Sequence, residues 1–117
     1  MITIYQIPIT DSQIAKANVD GFHAVPEVYA RAKMMMGAPN WKPEYFDYYE
    51  PVYEVATDNL NQAFESTNLW EDTLVTRLAN GSSSSKVGDI FAKENGDCFI
   101  VDSFGFSELG QLVKENA

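Results

Sequence analysis

The sequence predicts an α+β domain: a small, mainly antiparallel sheet ending in a β-hairpin, with helices packed on it. Three observations lead there. First, Asn95-Gly96 stands between two runs rich in Ile, Val and Phe, and Asn-Gly supplies the two positive-φ residues of a two-residue type I′ turn. Second, in the register that such a turn sets, Ala92 faces Phe99, Phe91 faces Ile100, Ile90 faces Val101 and Asp89 faces Asp102. Ile90, Ala92, Phe99 and Val101 then share one face and Phe91, Cys98 and Ile100 the other, so the hairpin needs cover on both sides. Third, apolar residues recur at helical spacing in the segments before it.

In chain order, residues 1–10 read as a strand through Ile2, Ile4, Tyr5, Ile7 and Ile9, with Pro8 placing it at an edge or near its end. Thr10 or Asp11 caps a helix through residue 18 with Ile14, Ala15 and Ala17 as its apolar positions, ended by Asp20-Gly21. Residues 24–36 form a second helix with Pro26 in its first turn and Tyr29, Ala32 and Met36 on one face. The run Met34-Met35-Met36 reads as adaptable core filling ahead of a recognition surface. Residues 52–56 suit a short strand, and Asp58 caps a helix to about residue 67 with Leu60, Ala63, Phe64 and Thr67 inward. Residues 70–78 fit a helix on the spacing of Trp70, Leu74 and Leu78, although residues 73–78 would also serve as a strand. Asn80-Gly81 and the serines up to Ser85 read as a flexible, exposed loop. Ser107 caps a short last helix through Leu109, Leu112 and Val113.

With 117 residues, 45% of them hydrophobic, the expectation is a single domain spanning residues 1–117. No run reaches the ~18 apolar residues of a membrane span, and the first residues lack the basic-then-apolar pattern of a signal peptide. The expected location is therefore the cytoplasm, without membrane association. Cys98 is the single cysteine and His23 the single histidine, which argues against a zinc site and for a buried free thiol. His23 has no identifiable nucleophile to serve, and the four serines lack the elbow or base that catalysis requires. No catalytic residue, cofactor or metal is expected.

In the type I′ register Asp89 and Asp102 would meet at a non-hydrogen-bonded position. As turn residues they cap neighbouring backbone N–H groups near Gly88 and at residues 103–105. As a carboxylate pair they would hold a cation and give a small metal-dependent enzyme, the reading with least support.

The net charge of −9 is unevenly spread: residues 43–76 hold eight acids and no Lys or Arg. Direct nucleic-acid binding is disfavoured and a basic protein partner favoured. Residues 41–53 hold six of the 15 aromatics, interleaved with carboxylates. Such a segment serves equally as core or as an anchor surface. The candidate partner-binding residues are Trp41, Glu44, Tyr45, Asp47, Tyr48, Tyr49, Glu50, Glu54, Asp58 and Glu65.

Four stretches resemble the YodL-like domain family: Tyr49-Glu50-Pro51-Val52-Tyr53-Glu54, then Leu60 to Phe64 with Asn68, then Ser85-Lys86-Val87-Gly88-Asp89-Ile90, and Val101-Asp102-Ser103-Phe104-Gly105-Phe106. Together they cover roughly the second half of the chain, about residues 49–106; the first forty-odd residues have no counterpart in the family pattern. The resemblance implies a small module of phages or plasmids that counters host defence, restriction included, and it brings no catalytic residues. Gly88, Asp89, Asn95, Gly96, Asp102, Gly105 and Phe106 are explained as turn and packing positions. The expected function is non-enzymatic: an acidic phage- or plasmid-type protein that binds and inhibits or redirects a host protein through a basic, nucleic-acid-binding surface. The alternative is a homo-oligomeric assembly protein with residues 41–53 as its self-interface, and the expected state is monomer or homodimer.

Overall fold

Apolar alternation from Ile2 onward sets the centre of the fold. The computed structural model describes residues 1–69, 73–79 and 83–112. Strand β1 (Ile2–Gln6) buries Ile2 and Ile4 completely. Pro8 stands beyond its end, where a missing N–H interrupts no ladder bond. β1 runs antiparallel to β2 (Glu50–Val55), with Ile2 opposite Val55 and Ile4 opposite Tyr53. On its other side it meets β4 (Ile90–Lys93), where Ile4 faces Phe91. With β3 (Val75–Arg77), β5 (Asp97–Asp102) and β6 (Gly105–Gln111), the described residues form a six-stranded antiparallel sheet in the order β3-β2-β1-β4-β5-β6. The expected α+β class is the observed one, with two more strands than the pattern predicts.

The hairpin exists, but its register is one residue off the expected one. Ile90 faces Ile100, Phe91 faces Phe99 and Ala92 faces Cys98. The loop has three residues: the Gly96 N–H donates to the Lys93 carbonyl at 2.9 Å, and Gly96 itself adopts φ 94°. A tight turn followed by a left-handed glycine is the usual three-residue alternative to type I′. The Asn95 side chain stabilises it by accepting the Asp97 N–H at 3.0 Å. The shift matters because side chains alternate between faces. Ile90, Ala92, Cys98 and Ile100 now lie together on one face, with Phe91 and Val101 on the other.

Each face has its own core. On the first, Ile90, Cys98 and Ile100 pack with Ala30 and Met34 of helix α2 (Pro26–Met34) and with Tyr45, Phe46 and Tyr49 from the 3₁₀ turn Pro43–Tyr48 and its end. On the second, Ile2, Ile4, Val55, Phe91 and Val101 pack with Ala63 of α3 (Leu60–Leu69), and Phe64 and Phe106 close the cluster. Phe91 is fully buried in this second core, so truncation to Ala should cost about 3–5 kcal/mol.

Several expected details change. Helix α1 (Asp11–Asp20) is capped by Thr10, which accepts the Gln13 N–H while the Gln13 side chain accepts the Thr10 N–H. It buries Ala17, whereas Ile14 and Ala15 face solvent. In α2 the buried residues are Ala30 and Met34; Tyr29, Ala32 and Met36 line a surface groove instead. Asn59, not Asp58, caps α3 by accepting the Gln62 N–H at 2.9 Å. The helix expected over residues 70–78 is replaced at Val75–Arg77 by β3, which β2 pairs through Tyr53–Arg77 and Val55–Val75; Trp70 lies outside the described residues. The helix expected from Ser107 is β6, because the open edge of β5 offers a full ladder to a segment whose helical pattern is broken by Gly110. Val113 lies outside the described residues. Among them, no helix is long and apolar enough to cross a membrane.

Candidate functional site

The turn before β4 gathers a dense set of hydrogen bonds. Gly88 adopts φ +95°, and a Cβ there would sit 3.0 Å from the backbone carbonyl carbon and oxygen of Met34, so the glycine lets α2 press on the turn. Its N–H donates to the Val101 carbonyl at 2.9 Å and its carbonyl accepts the Tyr49 hydroxyl at 2.5 Å. Burial, followed by the charge of Asp89, raises the Tyr49 pKa, which keeps the phenol a donor. Asp89 is buried and accepts from Gln6 Nε2 at 2.8 Å and from the Lys86 N–H at 3.1 Å, with Lys86 Nζ at 3.6 Å. Desolvation outweighs these partners and pushes its pKa up to about 6. Burial also lowers the Lys86 pKa.

The same network holds the serine stretch. Gln6 Nε2 and the Tyr53 hydroxyl both donate to the Ser83 carbonyl, at 2.9 and 2.7 Å, and Lys86 Nζ donates to Ser83 Oγ at 2.7 Å. Ser85 is buried against the Thr67 hydroxyl. The expected exposed loop is therefore anchored at Ser83 and Ser85, while Asn80, Gly81 and Ser82 lie outside the described residues.

Asp89 and Asp102 do not form a pair. In the observed register Asp89 opposes Val101, whose N–H donates to the Asp89 carbonyl at 2.9 Å. Asp102 instead accepts from the N–H groups of Ser103 and Ala38, at 2.8 and 3.2 Å, and from the Ser107 hydroxyl at 3.2 Å. Those backbone donors, Ser103 first, hold its carboxyl below the usual range. Both aspartates satisfy backbone donors, and among the described residues no three His, Cys, Asp or Glu side chains gather to share a cation. Gly105, at φ +104°, closes the β5–β6 turn opposite Asp102, and Phe106 packs on Phe91 at 5.1 Å.

The candidate partner-binding residues separate. Tyr45 and Tyr49 lie in the core, and Trp41 and Tyr48 pack against it, so the 3₁₀ turn directs its rings inward, leaving Glu44 exposed and Asp47 half-buried. Glu50 is exposed at the start of β2. Glu65 is exposed on α3, the layer over the opposite sheet face from Glu44, so the acids do not share one face. Asp58 accepts from the Met1 amino group at 2.9 Å, which lowers its pKa. Glu71 and Asp72 lie outside the described residues.

Glu54 occupies a different place. It borders a groove of about 570 Å³ whose lining includes Thr3, Tyr5, Phe46, Ala92 and Lys93. The pairing of Thr3 with both Glu54 and Ala92 makes the sheet its floor. Glu54 is half-buried, and its carboxylate has no hydrogen bond or ion pair among the described residues. Lys93 lies 5.4 Å from the Phe99 ring centroid, with its charge over the aromatic face. Cys98, also at this groove, is a buried free thiol whose pKa is raised by burial. His23 stacks on Tyr29 at 4.6 Å, away from either site. The groove is not legible in the sequence because it is assembled from four strands and the 3₁₀ turn.

Compared with family models, with curated proteins and with solved structures, the chain matches none.

Proposed function

We propose that this chain is a YodL-like, non-enzymatic binding module of phage or plasmid type that inhibits or redirects a host protein by docking a basic segment of it. The observation that carries this reading is Glu54: a half-buried carboxylate without a partner among the described residues, on the floor of the 570 Å³ groove. A carboxylate held in a concave, partly apolar site favours a cationic side chain, because reduced solvation strengthens the attraction. Phe46 and Tyr5 in the wall give that side chain's aliphatic stem apolar contact. The overall charge of −9 steers a basic partner towards the molecule. Countering host defence by covering a nucleic-acid-binding surface fits this chemistry, since such surfaces are rich in Lys and Arg.

The test is affinity capture from bacterial lysate with three baits: the unaltered chain, Glu54→Lys and Glu65→Lys. One basic protein retained at low salt by the first and third baits, released at ~0.5 M salt and absent from the second, is expected. Equal retention by Glu54→Lys would remove the groove as the docking site.

A further inference from the structure

We propose that the chain binds a small organic carboxylate, a single anionic group on an aliphatic body, in a second groove where Arg31 and Lys86 hold the carboxylate. The site forms where the sheet runs out. β3 pairs with β2 only from Tyr53 to Val55, and β1 ends at Gln6, opposite Glu50. Past those points the chain from Ile7 to Ile9 and the first residues of β2 enclose a groove of about 380 Å³, which α2 borders with Arg31 and the turn before β4 with Lys86. Its lining shares no residue with that of the Glu54 groove, so loss of one site leaves the other in place.

A chain with a net charge of −9 has eight Lys and Arg residues, and two of them meet here. Arg31 is half-buried, and its guanidinium has no hydrogen bond or ion pair among the described residues. Lys86 is held in position: its Nζ donates to Ser83 Oγ at 2.7 Å and lies 3.6 Å from the Asp89 carboxylate. An ammonium carries three donors, which leaves one for a ligand. Burial lowers the Lys86 pKa, and the charge of Arg31 lowers it further against the pull of Asp89. Two like charges this close repel, and an anion between them relieves the repulsion. The planar fork of a guanidinium matches the two oxygens of a carboxylate.

The rest of the lining selects the class of ligand. Glu50 is its third charged residue; two cations and one carboxylate leave one positive charge, which a monoanion balances. A phosphate dianion would set its second charge against Glu50 and against Asp89, which stands behind Lys86 with its side chain 4% exposed. Ile7, Pro8, Ile9, Pro51 and Val52 offer aliphatic contact and no ring face, which suits an alkyl body. At ~30 Å³ per non-hydrogen atom the groove takes about a dozen of them.

Sodium hexanoate is the probe, titrated into the full chain at pH 7 while backbone amide shifts are followed by NMR. The expected result is saturation at about 1 mM, with the shifts concentrated at residues 6–9, 31, 50–52 and 86. Hexanamide, the same body without the charge, and inorganic phosphate should each bind at least about 10-fold more weakly. Arg31→Gln should weaken hexanoate at least about 10-fold, while Lys33→Gln, at a cation of the same helix that borders a different groove, should bind as the unaltered chain does. Unchanged thermal unfolding shows that both variants fold, and the comparison of hexanoate with hexanamide tests recognition of charge without any substitution. No saturable shift up to about 50 mM, hexanamide binding as well as hexanoate, phosphate binding more tightly, or full affinity in Arg31→Gln would each overturn the proposal.

Discussion

The Tyr49 hydroxyl donates to the Gly88 carbonyl at 2.5 Å, tying the end of the aromatic 3₁₀ turn to the turn that launches β4. Tyr49→Phe keeps the ring and leaves that carbonyl unsatisfied in the interior, so a loss of about 1–3 kcal/mol in urea unfolding is expected. Gly88→Ala should cost more than Gly105→Ala. Both place a side chain at positive φ, which costs about 1–2 kcal/mol, but only Gly88 adds a 3.0 Å clash with Met34, whereas Gly105 has open space. Equal losses would show that α2 yields readily at that contact.

Asp89 makes stability depend on pH in an unusual direction. Its pKa is raised from 3.8 to about 6 by burial, so between those values the native state binds more protons than the unfolded chain. Stability from this group is therefore fully present below the unfolded pKa and declines as pH rises through about 6, by about 3 kcal/mol in all. Urea unfolding from pH 4 to 7, compared with Asp89→Asn, isolates the effect from other titrating groups. The difference between the two proteins should change across this window and level off above it; a constant difference would mean that Lys86 and Gln6 offset the desolvation.

Gly96 completes the three-residue hairpin loop at φ 94°. Gly96→Ala should destabilise by about 1–2 kcal/mol through backbone strain. The Gln111 amide stands 2.8 Å from where the new Cβ would sit, but it belongs to a flexible side chain that can swing away. Asn95→Gly should leave the register unchanged, because Phe91 opposite Phe99 is set by the two cores rather than by the loop. Cross-strand contacts measured by NMR in that variant decide the point: a shift to Ala92 opposite Phe99 would assign the register to the loop.

Cys98 is buried and its thiol is less acidic than a free one. Thiolate is the reactive form, so labelling by a disulfide reagent at neutral pH should run at least about 100-fold slower in the native protein than in urea, limited by opening of the sheet. Fast native labelling would show that the groove admits reagent to the sulfur.

The sequence by itself determined the α+β class, the first two helices, β1, β2, α3 and the presence of a hairpin at Asn95-Gly96, because each rests on local chemistry: a cap, a β-branched run or a turn glycine. It also located Gly88, Asp89, Asp102, Gly105 and Phe106 as turn and packing positions. Register was not legible, since Glu94-Asn95-Gly96 suits a two-residue or a three-residue loop and only burial of Ile90 with Ile100 on one face selects the second. Ser107, Leu109, Leu112 and Val113 carry helix-like spacing, yet the unpaired edge of β5 makes Gly105–Gln111 a strand. Which rings of residues 41–53 turn inward, and that Glu54 rather than Glu44 ends in a groove, depended on strands far apart in the chain. Tertiary structure decided these points because pairing and burial are non-local, and their free energy exceeds the few tenths of a kcal/mol per residue, roughly, by which local propensities differ.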